Sequence, residues 1–125
     1  SQVLPLSGAV IVCTPQKVAL LDAVKAISMF AQVKIPVLGI VENMSGEIFG
    51  RGGAKDQAAK SGVPFLGEVP ITAHIRELGD AGRMSDIFND DCPVRDELLS
   101  VCQNIAMAIA KQTIDAPALP TLEVL

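Results

Sequence analysis

The chain has no Trp, no Tyr, one His and only four Phe. Its core therefore has to be assembled from Val, Ile, Leu and Ala, an aliphatic mix that suits strands covered on both faces by helices. Aromatic residues interleaved with Lys and Arg are missing, and a chain of net charge −4 with no basic stripe gives no support to a nucleic-acid partner. No apolar run reaches the length of a membrane span. No basic stretch followed by an apolar run opens the chain, so a secretory signal is not expected. The three cysteines, Cys13, Cys92 and Cys102, are odd in number and widely separated. Cys13 in an apolar run and Cys102 on an apolar helix face read as small buried hydrophobes, and a reducing cytoplasm is the expected location. His74 has no Cys or His near it and reads as a surface or capping residue rather than a metal ligand. Neither a Ser-His-Asp nor a Cys-His arrangement can be drawn from the remaining residues, and Glu77, Asp80 and Asp86 form no ligand spacing.

What is present is a regular alternation. The run Gly8 to Cys13 (GAVIVC) is short, continuous and β-branched, as in a buried parallel strand. Thr14-Pro15 follows, an N-cap and first-turn pair that predicts a helix to about Val33. Leu20, Val24, Ile27 and Ala31 draw its apolar stripe. On that helix Asp22 and Lys25 make either a surface ion pair or a partner contact. Ile35-Pro36 ends the helix, and Val37 to Val41 (VLGIV) reads as a second strand. A Gly-rich loop from Met44 to Gly53 precedes a short helix from Ala54 to about Ser61, with Gly62 as its C-cap. Phe65 to Val69 predicts a third strand, ended by Pro70, and a short helix follows around Ala73 to Leu78. Gly79 to Cys92 reads as loop. Pro93 opens a last helix whose stripe is Leu98, Cys102, Ile105 and Ile109. The fold class expected is α/β, with about three parallel strands flanked by helices. Three strands make a thin sheet, and the first is too apolar to be content as an open edge.

Two places invite chemistry. The glycines of Gly46 to Gly53 suggest a phosphate cradle, but a Walker A loop needs Lys and Ser/Thr directly after its last Gly. Here Ala54-Lys55-Asp56 follows, so a flexible loop before a helix is the competing reading. Ligands of open α/β sheets bind beyond the carboxyl ends of the strands, where Asn43 and Pro70 fall. The Asn43 amide offers a donor and an acceptor that match an adenine edge, or it simply supports a turn.

Several segments together resemble the Mrp/ApbC family of MinD-like P-loop ATPases, which carry iron–sulfur clusters to target proteins. They are Leu6-Ser7-Gly8-Ala9-Val10-Ile11-Val12, Thr14-Pro15-Gln16, Pro36-Val37-Leu38-Gly39-Ile40-Val41-Glu42-Asn43-Met44-Ser45, Ile48-Phe49-Gly50, Gly52-Gly53-Ala54, Val63-Pro64-Phe65-Leu66-Gly67-Glu68-Val69-Pro70, and Ile75-Arg76-Glu77 with Asp80-Ala81-Gly82. The resemblance implies that residues 1–114 correspond to the C-terminal half of the family's ATPase domain, with 115–125 an extended tail. It implies that Asn43 hydrogen-bonds the adenine of ATP, and that Pro70 and Ile71 line its pocket. Thr72 stands where the family commonly has Asp. The first strand would lie beside the family's P-loop strand.

The implied cofactors are ATP with Mg²⁺. The implied partners are a second copy of the chain, as a homodimer, and apo iron–sulfur proteins, with no nucleic acid and no membrane. The family's Walker A and switch segments precede the stretch at which these residues begin to match, so no catalytic residue and no ATP hydrolysis are expected of the 125 residues alone. The family also carries Cys-x-x-Cys before its Ile-Phe-Gly, whereas Ser45-Gly46-Glu47 here runs straight into Ile48, removing the thiolates that would hold a cluster. A protein-interaction module of the MinD/ParA kind, without a cluster, is the alternative.

Overall fold

A computed structural model describes residues 5–115. Strand and helix alternate along them: β1 (Ala9–Cys13), α1 (Lys17–Gln32), β2 (Val37–Ser45), α2 (Gly53–Ser61), β3 (Phe65–Pro70), α3 (Ala73–Asp80), a 3-10 turn at Met84–Phe88, and α4 (Arg95–Asp115). The strands form one parallel sheet in the order β1-β2-β3, which is the α/β architecture expected. Parallel pairing needs crossover connections, and their helices cover both faces. On one face Ile11, Cys13 and Ile40 pack against Ala23 of α1 and Ala54 and Ala58 of α2. On the other, Val41, Leu66 and Val69 meet Val101 of α4, with Ile75 of α3 packed alongside.

Both long helices are rotated from the stripes expected of them. The face of α1 that meets the sheet carries Leu20, Ala23, Ile27 and Phe30, leaving Val24 partly exposed and Ala31 exposed. Leu98, Val101, Ile105 and Ala108 play the same part in α4, and Cys102 is exposed rather than buried. In each helix the two stripes share two residues, and the one facing the sheet has Ala23 and Phe30 in place of Val24 and Ala31 in α1, and Val101 and Ala108 in place of Cys102 and Ile109 in α4. Helix α1 also starts later than Thr14-Pro15 suggests. The Thr14 hydroxyl donates to Gln16 Oε1 (3.0 Å) instead of capping the backbone, and Gln16 takes the N-cap with no side-chain bond. Strand β2 continues past Val41 through Glu42, Asn43 and Met44 to Ser45. Asn43 and Pro70 therefore lie within the ends of strands rather than beyond them. The stretch expected as loop from Gly79 contains the end of α3 and the 3-10 turn. Gly62 caps α2 in the left-handed region (φ 68), as expected. Helix α4 runs through Asp115, and the tail expected at 115–125 otherwise lies outside the described residues. Asp22 and Lys25 are both exposed.

The sheet's two edges differ. At β3 the side chain of Asn104 on α4 donates to the Leu66 carbonyl (2.8 Å), using up an edge acceptor that would otherwise template further pairing. No described residue pairs with the outer edge of β1, and Val12 on it is 59% exposed.

Close approach inside the sheet is set at Gly39, where a Cβ would come within 2.6 Å of the Pro64 carbonyl oxygen and of Leu66 Cγ, at φ +156. At Gly62 (φ +68) nothing lies within 4 Å of that position. Gly39→Ala therefore combines overpacking with backbone strain, and should destabilise the chain by about 2–4 kcal/mol in urea unfolding. Gly62→Ala should cost only the left-handed penalty of about 1 kcal/mol. Equal losses in the two variants would contradict this packing.

Candidate functional site

The end of β2 sends two neighbouring side chains to opposite faces of the sheet. Glu42 points toward α2 and is fully buried. Its carboxylate accepts from the Gly52 N–H through both oxygens (3.1 Å each) and from the Ala54 N–H (3.0 Å). These groups sit at the start of α2, where unpaired N–H donors and the helix dipole favour an anion. Among the described residues no Lys or Arg forms an ion pair with Glu42, and the ends of the peptide dipoles meet its carboxylate instead. The carboxylate also acts on its strand neighbour Cys13, which is in register with it. Burial first, and the nearby Glu42 charge second, push the Cys13 thiol up from its ordinary value.

The same contacts decide between the two readings of the Gly-rich loop. Gly46 and Gly50 exchange backbone hydrogen bonds of 2.8 Å in both directions, closing a tight hairpin with Glu47, Ile48 and Phe49 at its tip. Gly52 is left-handed (φ 92), and at Gly53 a Cβ would lie 2.5 Å from the Pro15 carbonyl oxygen. The glycines thus serve a turn and a close backbone approach. The N–H groups of Gly52 and Ala54 already bind an anion, the protein's own carboxylate, so the loop is not a phosphate cradle.

On the opposite face, Asn43 opens into a cavity of about 580 Å³ lined by Asn43, Met44, Ile48, Ile71, Thr72, Ala73, Ile75 and Arg76. Adjacent strand residues normally face opposite ways, yet Asn43 and Met44 share this cavity. The cause is a bulge: Asn43 pairs with Val69 and Ser45 with Pro70, leaving Met44 as the extra residue in a left-handed conformation (φ 56). Bulges of this kind re-aim side chains at strand ends. Three of the four residues expected at the site, Asn43, Ile71 and Thr72, meet here. Pro70 closes β3 just before the cavity, and Ile71 N–H donates to the Ser45 carbonyl (2.9 Å) to hold the next residue in place. Thr72 is the N-cap of α3, its Oγ1 accepting from the His74 N–H (3.2 Å). Asp and Thr are both good N-caps, so the exchange at this position keeps the helix start. His74 thereby lends only its backbone to the cap.

Sequence patterns did not point to Glu42, Met44, Ile48, Ile75 or Arg76. The available signal for Glu42 was a lone acid ending an apolar strand, followed within a helical start by a glycine pair rich in free N–H groups. A larger cavity of about 740 Å³ lies at the β3 edge between Arg51, Lys55, Glu68 and Asp96. It is mixed in charge and bridged by an Arg51–Glu68 ion pair, and none of the expected site residues reaches it. Among the described residues no three His, Cys, Asp or Glu side chains converge to hold a metal ion.

Two outcomes follow from these environments. At mildly alkaline pH a thiol reagent should modify exposed Cys102 first, with Cys13 protected until unfolding. The raised Cys13 value means its contribution to stability is present below the ordinary thiol range and is lost as pH climbs through the folded value. Peptide mass mapping of the labelled chain checks the order, and Cys13 reacting as fast as Cys102 would contradict it. Thr72→Ala should lose about 1 kcal/mol of stability while Thr72→Asp stays within about 0.5 kcal/mol of the parent.

Residues 1–106 match the ParA family as described for the iron-transfer P-loop NTPase NUBPL. The chain is 48% identical over 102 residues to the iron-sulfur cluster transfer protein NUBPL of Dictyostelium discoideum, covering 74% of this chain and 32% of that protein. It is 43% identical over 116 residues to the iron-sulfur cluster carrier protein of Haemophilus influenzae, covering 85% of this chain and 31% of the relative. It thus spans about a third of these curated relatives. Among solved structures, a nucleotide-binding protein of Archaeoglobus fulgidus in complex with ADP aligns at 40% identity and a TM-score of 0.56, over 64% of this chain and 37% of that one. The cell division ATPase MinD of Pyrococcus furiosus aligns at a TM-score of 0.69 and 20% identity, over 81% of this chain and 43% of its own, a likeness of fold alone. With the α/β sheet, the matching segments and these relatives together, the chain belongs to the ParA family of NUBPL-like iron-transfer P-loop NTPases.

Proposed function

We propose that this chain supplies the adenine side of the ATP site of an iron–sulfur cluster carrier. The observation that carries the reading is the convergence of Asn43, Ile71 and Thr72 on one largely apolar cavity at the carboxyl ends of β2 and β3, the place where open α/β sheets take ligands. An adenine ring needs flat apolar walls and one donor–acceptor pair on its edge. Ile71 and Ile75 supply walls, and the Asn43 amide supplies the pair. The cavity falls within the size range of small-molecule sites. None of the 125 residues forms a Walker A loop, so phosphates and Mg²⁺ would be gripped by a P-loop segment, whose strand the open edge of β1 suits. Slow ATP hydrolysis with the P-loop segment in place, delivery of clusters to apo-proteins, a homodimeric state and a cytoplasmic location belong to this reading, with the cluster as cargo rather than resident cofactor. Positioning and electrostatic stabilisation by those phosphate ligands make up nearly all of phosphoryl-transfer catalysis, and so the 125 residues alone are read as binding without hydrolysing.

One observation favours a second reading, a protein-interaction module of the MinD/ParA kind that holds no cluster. The loop that would carry paired thiols is closed by the Gly46–Gly50 bridge and has no cysteine. Anaerobic reconstitution with iron and sulfide separates the two: a visible absorbance band stoichiometric with a dimer supports the carrier, and no uptake supports the module.

Titration of the isotope-labelled chain with adenosine should move the amide signals of Asn43, Ile71, Thr72 and Ile75. Asn43→Ala should weaken adenosine binding by about tenfold or more, the loss of one specific polar contact. The chain alone should show no Mg²⁺-dependent ATP hydrolysis. Hydrolysis abolished by Asn43→Ala, or adenosine shifts confined to other regions, would contradict the reading.

A further inference from the structure

The cavity has one wall that does not come from a strand end or from α3. Ile48 belongs to the hairpin tip between Gly46 and Gly50, is 73% exposed, and still lines the cavity beside Asn43. Its position depends on how the hairpin is tied down, and the described residues show three ties. The Gly46–Gly50 pair closes the hairpin on itself but does not fix its angle to the sheet. The Arg51–Glu68 ion pair reaches β3, yet Arg51 is exposed and Glu68 only half-buried, and pairs open to solvent hold weakly. The third tie is buried: Glu42 takes the N–H groups of Gly52 and Ala54 where the hairpin returns into α2.

We infer that Glu42 is a positioning residue of the adenine site. It sits on the opposite face of β2 from the ligand cavity and touches no ligand. It clamps the returning limb of the hairpin to the strand that also carries Asn43, so one strand end holds both the polar edge-reader of the base and, through the loop, an apolar wall. The geometry is economical in a specific sense: Glu42 and Asn43 are consecutive, and any shift of the β2 end moves wall and reader together. Charge matters as well as shape. A carboxylate presents acceptors to both N–H groups, whereas a neutral amide in the same place must turn an NH₂ group toward donors or leave one N–H unpaired. The inference rests on the adenine-site reading above.

The test uses the 125-residue chain as wild type, E42Q, I48A and the double variant, with adenosine and guanosine as probes. Amide hydrogen exchange and titrations are followed by NMR. In E42Q the Gly52 and Ala54 amides should exchange about tenfold faster or more, as expected for lost charge-assisted bonds. Adenosine affinity should fall roughly three- to tenfold in E42Q and similarly in I48A, the scale of one displaced apolar contact. The double variant should lose no more than the larger single loss, because both changes remove the same wall. The preference for adenosine over guanosine should persist in all three, since Asn43 remains. E42Q that frees the two amides yet binds adenosine like wild type overturns the positioning role. So do losses that multiply in the double variant, and so does an unchanged affinity in I48A, a surface-loop substitution that decides the matter even where E42Q does not fold. A wild-type chain that shows no adenosine shifts at Asn43 takes down the adenine reading together with this one, whereas unaltered variants beside a binding wild type take down the positioning role alone.

Discussion

A carboxylate placed in a protein interior without a basic partner must be met by other positive ends, and at Glu42 these are two backbone N–H groups and the first turn of α2. Much of the local structure is arranged around meeting that requirement. Helix α2 has to begin directly beside the end of β2. Gly52 has to be left-handed and Gly53 has to lie against the Pro15 carbonyl for the N–H groups to turn inward. The hairpin before them is then drawn across the strand end. Removing one partner from such a buried arrangement leaves an uncompensated charge or donor, which is why isolated changes there are costly.

The same strand shows how one element can serve two layers. Side chains of β2 alternate, so Ile40 and Glu42 belong to the layer of α1 and α2, while Val41 and Asn43 belong to the layer of α3 and α4. The bulge at Met44 interrupts that alternation and lets two adjacent side chains, Asn43 and Met44, line one cavity. A left-handed non-glycine residue costs of order 1 kcal/mol or more, and such positions gather at functional sites. Its occurrence at the rim of the cavity fits a site rather than a simple strand end.

The order and type of the elements were legible because the apolar runs are short, aliphatic and punctuated by Pro and Gly, and because parallel strands with intervening helices admit few alternatives. The capping glycine at Gly62 and the grouping of Asn43 with Ile71 and Thr72 were legible too. The helix faces were not. In α1, Val24 looks more worth burying than Ala23, yet it is Ala23 that packs with Ile11, Cys13 and Ile40. In α4 the choice between Cys102 and Val101 turns on the contact with Gly67, where a Cβ would come within 2.9 Å of Val101, and no local pattern announces it. Glu42 was passed over because its partners are backbone groups, which leave no trace in side-chain composition. The bulge at Met44 is likewise a backbone event. For family membership, motif order mattered more than any single motif, since the glycine loop taken by itself suggests a phosphate site that the internal carboxylate forecloses.

The cavity at Asn43 is largely apolar and edged by an amide, whereas the one at the β3 edge is charged and bridged by an ion pair. Intermolecular nuclear Overhauser contacts from the adenine H2 and H8 protons of bound adenosine decide between them most directly. Contacts to the methyl groups of Ile71 and Ile75, with the Asn43 side-chain amide shifted, are the result the account predicts. Contacts from the base to Phe65 or the Lys55 side chain at the β3 edge instead would contradict it.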